Sequence, residues 1–135
     1  MSELHRISDT QTKFEVKTVK VICGNSSDPN AEILLFCPDG QEINANSGGT
    51  GPVDAVCKAI DKITKIDVEL TEFSVSAVTE GIDSIGEVTI RIEKDGSIYS
   101  GRGSDTDIVV ASAKAYVNAI NRFISIIDQS KKTVI

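Results

Sequence analysis

Hydrophobic positions along this chain switch between two periods. From Phe14 to Ile22 the residues alternate, with Phe14, Val16, Thr18, Lys20 and Ile22 set against Glu15, Lys17, Val19 and Val21. A period of two predicts a strand, here with an imperfect apolar face. Gly24 to Asn30 is rich in Asn, Ser, Asp and Pro and predicts a turn. Ala31 to Cys37 is apolar enough for a central strand. Pro38-Asp39-Gly40 then predicts a tight hairpin turn, and Gln41 to Asn46 a third strand with Ile43 and Ala45 on one face. The period next changes. Val53, Val56, Cys57, Ile60 and Ile63 recur at i, i+3, i+4, i+7 and i+10, one apolar stripe of a helix from Pro52 to Thr64.

The pattern then starts again. Val68 to Val78 alternates with a phase break near Thr71, which predicts a bulge or bend. Thr79 to Ser84 predicts a loop. Ile85 to Glu93 is a strand with Val88, Ile90 and Ile92 on one face, Lys94-Asp95-Gly96 a hairpin turn, and Ser97 to Gly101 a short strand. A helix is predicted from Asp105 to Ile127, striped by Val109, Tyr116, Ile120, Phe123 and Ile127, with Ser104 and Asp107 forming a capping-box variant at its start. Ala111, Ala113, Ala115 and Ala119 keep it slim for close packing.

The order is therefore βββα twice. The two Asp-Gly turns, at Gly40 and Gly96, lie 56 positions apart, and at that offset Val53, Ala55 and Ala59 meet Val109, Ala111 and Ala115. Each unit has an antiparallel meander that cannot bury both faces alone. The expected fold is α+β, two βββα units related by pseudo-twofold symmetry, with helices packed on one face of antiparallel strands. Residues 1–12 read as a tail or linker, 13–128 as the domain and 129–135 as a C-terminal tail. An apolar surface left over by this arrangement favours a homodimer.

Composition narrows the functions. The chain has 135 residues, 40% of them hydrophobic, only 4% aromatic, and a net charge of −6. Mixed charge with an acidic balance argues against nucleic acid as a partner. No apolar run approaches the roughly 20 residues of a membrane span, and the polar N-terminus shows no signal peptide, so a cytoplasmic location is expected. Cys23, Cys37 and Cys57 are odd in number and lack a CxxC pair, which fits buried thiols rather than disulfides or a zinc site. With His5 alone, in the tail, neither a His-paired nucleophile nor a transition-metal site is supported. No cofactor or metal is expected.

Two glycine turns remain, Gly48-Gly49-Thr50-Gly51-Pro52 and Gly101-Arg102-Gly103-Ser104-Asp105. Neither carries the lysine and hydroxyl of a phosphate loop. Pro52 suits a first helical position, and the amides after it face out of the helix start, a natural place for a carboxylate. Asp54, or Asp105 or Asp107 from the second turn, would take an ammonium, and Val53, Val56 and Ile60 an aliphatic side chain. The turns thus suit a small zwitterion. The plainer reading makes them loop glycines, caps and core valines.

Several blocks now add a resemblance. Gly51-Pro52-Val53-Asp54-Ala55, Ala59-Ile60 and Asp67-Val68-Glu69-Leu70 resemble the C-terminal regulatory domain of α-isopropylmalate synthases. So do Gly101-x-Gly103, Thr106-Asp107-Ile108-Val109, Ala111-Ser112-Ala113-Lys114-Ala115 and Asn118-Ala119-Ile120-Asn121-Arg122. The similarity runs from about Phe14 to Phe123. Citramalate synthases carry the same domain type. The resemblance implies a homodimeric feedback sensor of an acyltransferase, attached to a catalytic TIM-barrel domain. Its effector would be L-leucine, or L-isoleucine in the citramalate relatives. The GPVDA and ASAKA blocks look more like the isopropylmalate enzymes, so leucine is favoured. Carried over, the effector residues are Gly49, Thr50, Gly51, Pro52, Val53, Val56 and Ile60, with a weaker carry-over to Asp105, Asp107 and Ile108. The barrel's metal-binding histidines and carboxylates have no counterpart here, so this chain should have no synthase activity by itself.

Overall fold

The computed structural model describes residues 13–24, 27–77 and 85–134. Two three-stranded antiparallel sheets each carry one helix. The first sheet, in the order β1-β2-β3, comprises β1 (Glu15–Gly24), β2 (Ser27–Phe36) and β3 (Glu42–Gly48), followed by α1 (Pro52–Thr64). The second, β4-β5-β6, comprises β4 (Glu69–Ala77), β5 (Gly86–Lys94) and β6 (Ser97–Asp105), followed by α2 (Ile108–Val134). The expected tail at 1–12, the loop at 79–84 and the turn tip at 25–26 lie outside the described residues.

The central strands show why two layers form. Ala31, Ile33 and Leu35 of β2 and Val88, Ile90 and Ile92 of β5 alternate onto one face and are fully buried. The helices lay their stripes on those faces: Ala55, Val56, Ala59 and Ile60 of α1, and Ala111, Ala115, Ala119 and Ile120 of α2. Helix α1 covers β2 and β3, α2 covers β5 and β6, and the helices touch each other. Burial of aliphatic side chains at about 25 cal/mol per Å² is the main stabilising force in so aromatic-poor a core. The repeat is visible in the backbone. Gly40 and Gly96 both take positive φ in the hairpin turns, at +91° and +81°. Helices α1 and α2 begin at Pro52 and Ile108, again 56 positions apart, and β1 and β4 open at Glu15 and Glu69.

Four expectations are corrected. The turn over Gly24–Asn30 is shorter, because β2 already begins at Ser27 and carries Pro29 at a register irregularity, where a missing N–H is tolerated. The imperfect face of β1 is a bulge: pairing shifts between Val16 and Thr18, so Val16, Val19 and Val21 share the inner face with Leu35, Ile33 and Ala31. In β4 the shift falls between Leu70 and Glu72, at the expected phase break. The second glycine segment is no turn at all, since Gly101 and Gly103 lie within β6. Helix α2 starts at Ile108 rather than Asp105 and runs on to Val134, past the end of its apolar stripe, because no Gly or Pro interrupts it.

Candidate functional site

Gly101 and Gly103 explain the second segment. A Cβ on Gly101 would run into the Ala115 carbonyl and Ala119, and one on Gly103 into the Ala111 carbonyl and Ala115. Glycine is required there because α2 lies directly on the strand, not because a ligand approaches. Both acidic residues beside it serve the helix start. Asp107 Oδ1 accepts the amides of Val109, at 2.8 Å, and Val110, at 3.5 Å, which makes Asp107 the N-cap in place of the Ser104-Asp107 box. Asp105 accepts the Asp107 amide at 3.0 Å and pairs with Lys114 at 3.1 Å, and these partners hold its carboxyl below the usual range. Ile108 packs over Gly86.

The first turn is built differently. Gly51 occupies the position equivalent to Asp107 and has no side chain to cap α1. Its backbone is extended, at φ −154°, and nothing lies within 4 Å of where its Cβ would be. Pro52 has no N–H, and the Ala55 amide is bonded to the Gly51 carbonyl at 2.9 Å. Among the described residues, the amides of Val53 and Asp54 are therefore left without an acceptor, whereas the matching amides of Val109 and Val110 are capped. Gly49 packs so closely under the helix start that a Cβ would meet the Ala55 amide and the Asp54 carboxylate. Thr50 donates its amide to Asp54 Oδ2 at 2.9 Å, and Lys58 reaches the same oxygen at 3.1 Å. The Thr50 amide first, then Lys58, keeps the Asp54 carboxyl acidic.

Below this turn a cleft of about 360 Å³ separates α1 from β4. It is lined by Val53, Asp54, Cys57, Lys58 and Asp61 on one side and by Val68, Leu70, Phe73 and Tyr116 on the other. Leu70, Phe73 and Val75 pair with Ile92, Ile90 and Val88, so they belong to the inner face of their sheet. Among the described residues no helix covers them, and they stay 40%, 39% and 48% exposed. At the floor, the Tyr116 hydroxyl donates to Asp61 Oδ1 at 2.6 Å and links the two halves. Burial pushes the Asp61 carboxyl up to about 6, against the opposing hydrogen bond from Tyr116. Burial also lifts the Cys57 thiol to about 12, with the Asp61 and Asp54 charges adding to it, so the thiol is inert rather than nucleophilic.

The structure thus brings Val53 and Asp54 to the cleft, while Gly49, Thr50, Gly51 and Pro52 lie in the turn before them, outside its lining. Val56 and Ile60, expected to receive an aliphatic side chain, are fully buried core residues that back the wall. Asp105, Asp107 and Ile108 lie at the other helix start. The residues that line the cleft from β4 and α2 were missed because they come from the opposite half. The one local signal was Asp61, a carboxylate four residues after Cys57 at the border of the α1 stripe. Among the described residues, no three His, Cys, Asp or Glu side chains converge to hold a metal ion. Among the described residues, no helix is long and apolar enough to cross a membrane.

Residues 2–124 match the family described as the LeuA allosteric (dimerisation) domain. The chain is 58% identical over 115 residues to a 2-isopropylmalate synthase of Prochlorococcus marinus strain AS9601, an alignment covering 84% of this chain and 21% of that protein. It is 52% identical over 120 residues to a 2-isopropylmalate synthase of Microcystis aeruginosa, covering 89% of this chain and 22% of that one. The chain therefore spans about a fifth of the length of these relatives.

Proposed function

The chain belongs to the LeuA allosteric (dimerisation) domain family, and on that premise we propose that it is the leucine-sensing, feedback-inhibition domain of a cytoplasmic 2-isopropylmalate synthase. It works as a homodimer attached to a catalytic barrel domain, and has no catalytic role of its own. The observation that carries the site assignment is the difference between the two helix starts. Helix α2 is capped by the Asp107 carboxylate, while the equivalent amides of α1 are open behind Gly51. The leucine carboxylate takes the place at Val53 and Asp54 that Asp107 fills in the sister helix. Its ammonium is neutralised by the Asp54 carboxylate, which Thr50 and Lys58 keep ionised. Its isobutyl group lies in the cleft against Val53, Leu70 and Phe73.

Asp61 sits two helical turns further along, roughly 10 Å from the amides. That is too far for the ammonium of the same ligand, so Asp61 closes the floor with Tyr116. The uncovered Leu70, Phe73 and Val75 support self-association through the inner face of β4. Inhibition follows if leucine binds one arrangement of the dimer better than another and shifts the population between them.

The test is a thermal-shift series with leucine, isoleucine, valine and methionine. Leucine at about 100 times its dissociation constant adds roughly 2.7 kcal/mol, a rise of several degrees. A response to isoleucine alone would make the chain a citramalate-synthase-type sensor. No response to any of the four would reduce it to a dimerisation scaffold.

A further inference from the structure

A second, unrelated groove of about 710 Å³ runs along β6 and the outer face of α2. Lys13, Arg102 and Arg122 line it together with Asn118, Asn121 and Ser125, and no carboxylate does so among the described residues. This is unusual for a chain of net charge −6. Lys17, Lys58, Arg91 and Lys114 each pair with a carboxylate. Among the described residues, Lys13, Arg102 and Arg122 do not, and all three are exposed.

Their convergence is built in. Asn118 Nδ2 donates to the Arg102 carbonyl at 2.6 Å and ties β6 to α2. Asn121 holds both backbone groups of Phe14, which fixes the neighbouring Lys13 against the same helical turn. Arg122 follows Asn118 by four residues and so shares its face. Two asparagines of one turn thus gather three cations from three segments distant in sequence. Holding like charges together without counter-ions costs free energy that a bound anion would recover.

We propose that this groove is a binding site for a non-aromatic ligand bearing two or more phosphate or carboxylate groups. Paired guanidinium forks suit such oxyanions, and Ser125 and the asparagine amides add neutral donors. Among the described residues the lining has no aromatic ring on which a base would stack, which separates the ligand from nucleotides and single-stranded nucleic acid. The site is independent of the leucine reading: the two share α2 but no lining residue.

The experiment is a titration of the chain with pyrophosphate and, separately, with citrate, followed by amide NMR at low and high salt. Saturable shifts confined to residues around Lys13, Arg102, Asn118 and Arg122 are expected, weakening as salt rises. Arg102→Gln and Arg122→Gln should each lower affinity about tenfold, the loss expected of a charge-assisted hydrogen bond, while leaving the spectrum elsewhere unchanged. Binding of pyrophosphate alone identifies phosphate chemistry, and binding of citrate alone identifies carboxylate chemistry. Shifts spread over Lys17, Lys58 and the other paired cations, no shifts with either anion, or unchanged affinity in both variants would overturn the proposal.

Discussion

Asn121 holds Phe14 by both of its backbone groups: Oδ1 accepts the Phe14 amide at 2.8 Å, and Nδ2 donates to its carbonyl at 2.9 Å. This clamp fastens the first half of the chain to the helix of the second. Among the described residues the other half has no equivalent. The position matching Asn121 is Lys65, the left-handed C-cap that ends α1 at φ 57°, and the residue matching Phe14 is Val68, in the open cleft. The duplicated fold thus has one strand clamped to the helix of the opposite half and one without that clamp, and the candidate site lies beside the second.

Removing the clamp should show its weight. Asn121→Ala is expected to destabilise the chain by about 1–2 kcal/mol, from two partly buried hydrogen bonds. The Phe14 amide should lose its protection against hydrogen exchange, while the leucine response persists. Denaturant unfolding and exchange measurements check both parts.

Gly51→Asp separates stability from binding. The position is open and its extended backbone accepts any residue. The new carboxylate should cap α1 as Asp107 caps α2 and raise stability by about 0.5 kcal/mol. By occupying the Val53 and Asp54 amides it should also abolish the thermal response to leucine. A variant that binds leucine as tightly as the parent would show that the effector lies elsewhere.

Gly101→Ala and Gly103→Ala test the other glycine pair. Each methyl would be driven into the backbone of α2 rather than into a yielding side chain. A loss of about 2–4 kcal/mol is expected for either, at or above the upper end for overpacking a core. Equilibrium unfolding measures it. A neutral result would mean that α2 does not rest directly on β6.

The Asp61 carboxyl is raised from 3.8 to about 6 by burial. Between those values the folded state binds more protons than the unfolded state. Its contribution to stability is therefore fully present below about pH 3.8 and is lost as pH rises to about 6. Asp54 and Asp105, shifted downward, act in the opposite sense and stabilise above pH 3.8. Asp61→Asn keeps an acceptor for the Tyr116 hydroxyl and removes the charge. It should raise stability at pH 7 by on the order of 1 kcal/mol and flatten the decline between pH 4 and 6, as thermal melts across that range would show.

Much of this was legible in the chain. The βββα repeat, the hairpin glycines, the phase break at Thr71 and the span of α1 follow from alternation, helical spacing and turn residues. All are consequences of where consecutive side chains point. The Pro52 helix start was visible for the same reason. Gly101-Arg102-Gly103 misled because a glycine that loosens a turn and a glycine that admits a helix read identically. Only the alanines of α2, ten or more residues away, distinguish them.

By itself, then, the sequence determined the elements, their order, their internal repeat and the motifs that place the chain in its family. The tertiary structure decided what the repeat did not make equal. It left Val56 and Ile60 inside the core, brought Leu70, Phe73 and Tyr116 to face Asp54 and Asp61, and kept the inner face of β4 uncovered. Local periodicity says which face of an element is apolar. Whether that face is covered depends on where a helix from the other half ends, and α1 stops at Thr64 while α2 continues past Asn121.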